Sequence, residues 1–172
     1  SEAGHCYPQE IDTTHTFKDN LTLRFRAIKP SDEDGMRKLF YRFSDESVYY
    51  RYFSPITAMP HAEMQEYVNI DYSETMSIVG LLGNKADGQI VAEARYVRNR
   101  NRPYADVAFI VDEAFQGKGI ATFMLKMLIR IAKQHGIEGF TADVLGTNRK
   151  MLHVFENSGL PIKSVLTNGV YE

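Results

Sequence analysis

The sequence predicts a single domain of mixed α/β class, with helices flanking one sheet. Residues 21–27 alternate apolar and polar side chains, which is typical of a half-buried strand. Three largely apolar runs of strand length follow at 76–82, 89–97 and 104–111. After them, apolar residues recur with a helical period from Ile120 to Ile131, which indicates an amphipathic helix packed on the sheet.

The first half of the chain carries weaker signals than the second. Residues 1–20 are polar and aperiodic, and they indicate a linker or an arm on the surface. Pro30-Ser31-Asp32 is typical of a helix start, because serine and aspartate cap helices well. The apolar stripe predicted for that helix comprises Met36, Leu39, Phe40 and Phe43. The further helices predicted in this half span 45–53 and 61–70.

The second half is regular up to the C-terminus. The long helix ends where Gly136 can occupy the position after its last turn. Asn168-Gly169 predicts a hairpin with a type I′ turn. The remaining predicted elements are a strand over 140–145, a helix over 148–157, and strands over 162–166 and 170–171.

Composition excludes several classes of protein. A net charge of −2 argues against a nucleic-acid binder, which usually carries a basic excess. The single cysteine, Cys6, excludes an intrachain disulfide, and no Cys/His spacing resembles a zinc site, so we expect no metal. No apolar run approaches the roughly 18 residues of a membrane span, and no signal peptide is recognisable, so we expect a cytoplasmic protein without a membrane partner. The opening Ser-Glu-Ala-Gly lacks an initiator Met, which suggests one domain of a longer polypeptide.

A glycine-spaced turn, Gln116-Gly117-Lys118-Gly119-Ile120-Ala121, lies between the third apolar run and the long helix. Glycine lets the backbone approach a ligand without a Cβ in the way. The first turn of the helix leaves N–H groups without intrahelical partners, and its dipole favours negative charge. We therefore expect this segment, the glycine cradle, to receive a diphosphate group.

Spacing distinguishes the diphosphate ligands. A Walker A loop is absent, and a dinucleotide fingerprint would require a third glycine where Thr122 stands. The pattern that does match is Gln/Arg-x-x-Gly-x-Gly/Ala, carried by Gln116, Gly119 and Ala121.

This pattern resembles the acyl-CoA-binding signature of the GNAT (N-acetyltransferase) superfamily. Further segments of the chain resemble the family in the same order, namely 109–113, 144–148 and 155–160. The resemblance implies a GNAT-like acyl-CoA N-acyltransferase fold over 21–172, with a mostly antiparallel sheet splayed between two parallel strands. It also implies acetyl-CoA as the acyl donor, lying in the gap between strands 107–111 and 141–145.

The first half is similar to a subgroup, the bacterial protein lysine acetyltransferases, whose GNAT domain is often fused to acyl-CoA synthetase-like or CoA-transferase-like regions. The segments that carry this similarity are 23–32, 39–47, 51–53 and 71–72. The resemblance implies direct transfer of an acetyl group to a protein lysine. A small-molecule amine is the alternative acceptor, and an acyl-CoA-sensing domain with little catalysis is the alternative function.

Individual roles also follow from the resemblance. The donor's pyrophosphate is expected on the backbone N–H groups of Gly117, Lys118, Gly119, Ile120, Ala121 and Thr122. Its pantetheine arm is expected to pair with the backbone of Ile110 and Val111. Asn148 is expected to cap the next helix and to contact the donor.

Transfer to an amine requires a base, because a lysine is almost wholly protonated at neutral pH. The family's glutamate on this strand is matched by Asp106, which is one methylene shorter and therefore favours a bridging water. Glu93, in the middle of an apolar strand, is the second candidate, although an ion pair with Arg95 would also explain it. Phe155 stands where many family members carry a tyrosine acid, so that role is vacant.

Overall fold

The computed structural model describes residues 6–42, 60–83, 88–145 and 148–172. The helix predicted over 45–53 lies outside these ranges, as does Phe43 of the first predicted apolar stripe. Within them, the chain forms nine strands and four α-helices.

The elements are numbered here in chain order. The strands are β1 (Thr13–Thr16), β2 (Thr22–Ala27), β3 (Thr75–Leu82), β4 (Gln89–Arg98), β5 (Tyr104–Val111), β6 (Gly139–Thr141), β7 (Val144–Leu145), β8 (Leu166–Thr167) and β9 (Val170–Tyr171). The helices are α1 (Glu33–Arg42), α2 (His61–Val68), α3 (Ile120–Gln134) and α4 (Arg149–Glu156). Short 3-10 turns cover Gln9–Ile11, Lys18–Asn20, Pro30–Asp32 and Glu113–Phe115.

The main sheet has six strands in sequence order, β1 to β6. All neighbours are antiparallel except β5 and β6, which are parallel. That parallel pairing extends only from Tyr104↔Gly139 to Asp106↔Thr141, and the chain then enters a second sheet of order β7-β9-β8. The predicted fold class is therefore confirmed, including the splay between the two parallel strands.

The sheet is covered on both faces, which explains its two apolar clusters. One face packs against α3, whose Met124 and Leu128 are fully buried. The other face packs against α1 and α2, where Met36 and Met64 meet Ile110 of β5. Full burial of such a side chain is worth about 1.5–3 kcal/mol, so the two clusters fix both helical layers onto the sheet.

The N-terminal arm differs from its prediction, because residues 13–16 form the edge strand β1. It pairs with β2 from Thr13↔Phe25 to Thr16↔Thr22. All four β1 side chains are exposed, so no alternation of burial existed for the sequence to display. The arm also contacts α3, since the His15 ring stacks on the Phe123 ring with centroids 4.3 Å apart.

Three predictions near the C-terminus have different outcomes. The type I′ hairpin is confirmed, because Asn168 and Gly169 both have positive φ, 51° and 78°. The single strand predicted over 140–145 was wrong, because those residues contribute to two strands of different sheets, β6 and β7. The strand predicted over 162–166 is likewise shorter, since β8 begins only at Leu166.

Candidate functional site

The glycine cradle is an open backbone turn at the N-terminus of α3. Gly117 and Gly119 have φ of 79° and 88°, a region that side-chain-bearing residues rarely adopt. A Cβ built on either glycine would meet no heavy atom of the described residues within 4 Å. Packing within that part of the chain therefore does not require these glycines, whereas the left-handed backbone does.

The first N–H groups of α3 have no partner within the helix. Phe123 donates the first intrahelical hydrogen bond, to the carbonyl of Gly119 at 3.0 Å. The N–H groups of the residues before it, from Ile120 to Thr122, consequently have no partner within the helix. No acidic side chain lies in the first turn of α3, so nothing there opposes the positive end of the helix dipole.

Lys118 belongs to this turn, and its side chain forms an ion pair within the protein. Its Nζ lies 3.5 Å from Oδ2 of Asp19, which belongs to the 3-10 turn between β1 and β2. Asp19 and its neighbour Asn20 both have positive φ, 63° and 58°. The N-terminal arm therefore places a carboxylate next to the one lysine of the cradle.

Gln116 has a structural role that the sequence did not reveal. Its Nε2 donates to the carbonyl of Val111 at 3.1 Å, and its Oε1 accepts from Nζ of Lys150 at 3.2 Å. The side chain thus ties the cradle to the end of β5 and to the first turn of α4. This bridge explains why a long amide suits the position.

The predicted pantetheine strand has a free edge beside the cradle. β6 pairs with β5 only as far as Asp106, so from Val107 onward the outer edge of β5 has no strand partner among the described residues. Val111 is half-buried, and Ile110 is only 3% exposed in the cluster under α1 and α2. Backbone groups on an unpaired edge can hydrogen-bond a ligand that lies along the strand.

Asn148 precedes α4 and Phe155 lies within it. Oδ1 of Asn148 accepts from the N–H of Met151 at 3.3 Å, so the predicted N-cap is confirmed. The ring of Phe155 is half-buried and meets Phe109 edge to face, with centroids 6.0 Å apart. The ring packs against the core, and a phenylalanine side chain has no proton to donate to a leaving group.

Asp106 is exposed, on the third residue of β5. Its Oδ1 accepts from Oγ1 of Thr141 at 3.2 Å, across the parallel pair. It lies four positions before Ile110, which corresponds to about 13 Å along a strand. Asp106 therefore lies at the opposite end of β5 from the cradle.

Glu93 is fully buried and accepts several hydrogen bonds. Its Oε1 accepts from the Tyr67 hydroxyl at 2.6 Å. Its Oε2 accepts from the Ser77 hydroxyl and from Nε of Arg95, both at 2.6 Å. The ion pair with Arg95 that the sequence suggested is therefore present, but it is one part of a larger network.

Register brings Glu93 next to the predicted donor strand. Glu93 and Ile110 are direct partners across β4 and β5, so their side chains lie on the same face with Cα atoms about 5 Å apart. The sequence identified Glu93, but it could not reveal Tyr67 or Ser77 as its neighbours. Those residues come from α2 and β3, which are far away in the chain.

Two classes of feature are absent from the described residues. They contain no group of three or more His, Cys, Asp or Glu side chains that could hold a metal ion. In the same part of the chain, no helix has the length and apolarity needed to cross a membrane.

Comparison with known proteins identifies the family. Residues 40–160 match the model of the Acetyltransferase (GNAT) family. The GNAT domain of S. lividans PAT superposes with a TM-score of 0.87 at 29% identity, covering 96% of this chain and 97% of that one. A cAMP-binding acyltransferase from Mycobacterium smegmatis superposes with a TM-score of 0.64 at 27% identity, covering 94% of this chain and 46% of that one.

A curated relative points in the same direction. Acetyltransferase Pat of Mycolicibacterium smegmatis is 32% identical over 136 residues, which is 78% of this chain. The matched segment spans only 40% of that relative's length. On the evidence of the family model, the splayed sheet and the glycine cradle, the chain belongs to the GNAT acetyltransferase family and is similar to the GNAT domain of the Pat proteins.

Proposed function

We propose that this protein is an acetyl-CoA-dependent N-acetyltransferase that transfers the acetyl group directly to an amine, with a protein lysine as the preferred acceptor. The observation that carries the proposal is the open glycine cradle adjoining the unpaired edge of β5. A diphosphate on the cradle and a pantetheine arm along β5 would together fill this continuous strand-to-helix corner.

The residues that would hold the donor are the predicted ones. Backbone N–H groups from Gly117 to Thr122 would bind the pyrophosphate, and Lys118 would add a positive charge once released from Asp19. The backbone of Ile110 and Val111 would pair with the pantetheine arm. Asn148 would contact the donor from the N-terminus of α4. Acetyl-CoA supplies the activated acyl thioester, and the protein supplies its position and the base.

Of the two candidate bases we favour Asp106. It matches the family's position, it is exposed, and it lies where β6 leaves β5. A donor that runs along β5 from the cradle would bring its acyl end towards that point. Glu93 lies directly opposite Ile110, but it is fully buried, and its three hydrogen-bond donors stabilise the carboxylate against taking up a proton.

A lysine acceptor is proposed from the similarity to the Pat proteins and to the lysine acetyltransferase subgroup. We further propose that the domain works within a longer polypeptide, because the matched relative extends well beyond the matched segment. The cytoplasm is the location that we propose for it. Binding of cAMP is a property stated for one relative and is not part of this proposal.

The test is acetyl transfer from labelled acetyl-CoA to an Nα-blocked lysine peptide and, in parallel, to spermidine, with the product detected by mass spectrometry. We expect transfer to the peptide at the higher kcat/KM. Preferential acetylation of spermidine would assign a small-molecule acceptor. Binding of CoA without transfer to any amine would support an acyl-CoA sensor and refute the enzymatic proposal.

The base is tested with a matched pair of isosteric variants, Glu93→Gln and Asp106→Asn. We expect Asp106→Asn to lower kcat by about 100-fold or more, in the range for loss of a general base, while Glu93→Gln stays within about tenfold of wild type. The opposite ranking would assign the base to Glu93.

A further inference from the structure

The sheet face that carries Asp106 is only partly covered by α1 and α2. Ala105 and Val107 point to the opposite face, where they are buried in the cluster under α3. Tyr104 and Asp106 alternate with them and are exposed. Farther along their face, Ile110 is buried in the cluster with α1 and α2. Among the described residues, the helical cover therefore ends between Ile110 and Asp106.

Two hydrophobic side chains flank Asp106 on this open face. Val97 is its direct partner across β4 and β5, so the two side chains lie on one face with Cα atoms about 5 Å apart. Tyr104 lies two positions before Asp106 on the same strand, and therefore on the same face. Val97 is 47% exposed and Tyr104 is 39% exposed. A single exposed hydrophobic residue is ordinary, but here two of them border the proposed base.

The ring of Tyr104 is positioned by β6. Gly139 is the partner of Tyr104 in the parallel pair, and a Cβ built on Gly139 would lie 3.1 Å from Cδ1 of the ring. Because that distance is shorter than ordinary van der Waals contact, the glycine leaves the room that the ring occupies beside β6. Val97, Tyr104 and Asp106 thus form an exposed patch at one end of β4 and β5, called here the β4–β5 platform.

The platform matches the chemistry of a lysine side chain. A lysine carries its ammonium on a stem of four methylene groups, and it lays that stem along apolar surface where such surface is available. The Asp106 carboxylate complements the charge of the ammonium, and the flanking hydrophobic side chains complement the stem. A carboxylate with only polar neighbours would attract the ammonium but would gain nothing from the stem.

We propose, resting on the proposed function with Asp106 as the base, that Val97 and Tyr104 are specificity-determining residues that hold the stem of the acceptor lysine and so direct its amine to Asp106. The partner is a protein segment that presents this lysine over the end of β4 and β5. Neither residue takes part in making or breaking a bond. Their contacts are the same before and during transfer, so they lower KM for the acceptor and leave kcat nearly unchanged.

The experiment replaces Val97 by serine, with acetyl-CoA and the Nα-blocked lysine peptide as substrates. Val97→Ser deletes both methyl groups, whereas Val97→Ile keeps an apolar, β-branched side chain. Val165→Ser makes the same deletion at another exposed valine, which is 62% exposed in the C-terminal segment. We expect KM for the peptide to rise about fivefold or more in Val97→Ser alone, since burial of one methylene group is equivalent to about fourfold in affinity. The kcat and the affinity for CoA should stay within about twofold of wild type in all three variants.

A modified acceptor gives a second readout that a merely structural role would not move. Oxygen in place of the γ-methylene of the acceptor lysine keeps the reach of the amine but makes the stem more polar. The preference in kcat/KM for lysine over this analogue should be at least twofold smaller in Val97→Ser than in wild type. Any difference in amine pKa between the two peptides cancels, because both enzymes use the same pair.

The possible failures can be told apart. An unchanged KM in Val97→Ser, or an equal preference for lysine in both enzymes, overturns the platform and leaves the acetyltransferase in place. A loss of CoA affinity or of melting temperature that matches the rise in KM would also overturn it, because the effect would then be structural. A fully active Asp106→Asn refutes the base and the platform together, and a wild type that acetylates no amine refutes the proposed function itself.

Discussion

Substitution of Gly119 by alanine tests the glycine cradle, with Gly136→Ala as its matched control. The two glycines flank the same helix, α3, and have φ of 88° and 72°. At neither position would a Cβ meet a heavy atom of the described part of the chain within 4 Å. The two substitutions therefore impose the same kind of backbone strain and no clash, but only Gly119 faces the predicted pyrophosphate.

The magnitudes follow from that geometry. An alanine held in the left-handed region costs roughly 1–2 kcal/mol, so both variants should lose that much stability. For a chain of 172 residues this corresponds to a drop in melting temperature of about 2–8 °C. The empty space in front of Gly119 is where the ligand would lie, so the new methyl group should displace the phosphate and weaken CoA binding by about tenfold or more, equivalent to about 1.4 kcal/mol.

The assays are thermal unfolding without ligand and calorimetric titration with CoA. We expect equal losses of melting temperature in the two variants and a loss of CoA affinity in Gly119→Ala alone. Equal affinities for CoA in Gly119→Ala, Gly136→Ala and wild type would refute the cradle as the phosphate site. Valine at position 119 should abolish binding under the same reasoning.

Three further predictions concern charge and burial. Asp19→Asn should leave the melting temperature almost unchanged, because Asp19 is 83% exposed, and should tighten CoA binding by up to about fivefold by freeing Lys118; weaker binding would contradict this. Tyr96→Phe should keep or slightly raise the free energy of unfolding in urea at neutral pH, since the buried hydroxyl has no partner among the described residues; a loss above about 1 kcal/mol would argue for a partner. Burial raises the pKa of Tyr72 and of Tyr96 to about 12, above the value of about 10 in the unfolded chain. Their contribution to the free energy of unfolding is therefore intact below pH 10 and lost between pH 10 and 12. Urea unfolding at pH 9 and pH 11 should show a fall of a few kcal/mol in that free energy, and the fall should be smaller in Tyr96→Phe.

Much of the fold could be predicted from local chemistry. The amphipathic period of α3, the glycine that follows it and the Asn168-Gly169 turn each depend on residues close together in the chain. The cradle belongs to the same class, because positive φ and a helix N-terminus are local properties. Resemblance to the family then supplied the donor and the splayed sheet, which local pattern alone does not specify.

Other features depended on contacts between distant segments. β1 has four exposed side chains, so only its backbone pairing with β2 makes it a strand. The run from 140 to 145 was predicted as one strand, yet it is divided between two sheets because it pairs with β5 in one part and with β9 in the other. Asp106 matched a family position, but its hydrogen bond with Thr141 depends on the register of β6 beside β5 and not on the motif.

The sequence by itself determined the class of fold, the glycine-spaced turn and the two candidate acids, because helix caps, glycine conformations and apolar periods act over a few residues. The tertiary structure decided how the acids differ: Glu93 meets Tyr67 of α2 and Ser77 of β3, whereas Asp106 meets Thr141 at the exposed start of the splay. Hydrogen bonds between elements that are distant in the chain depend on packing and register, and no local pattern encodes them.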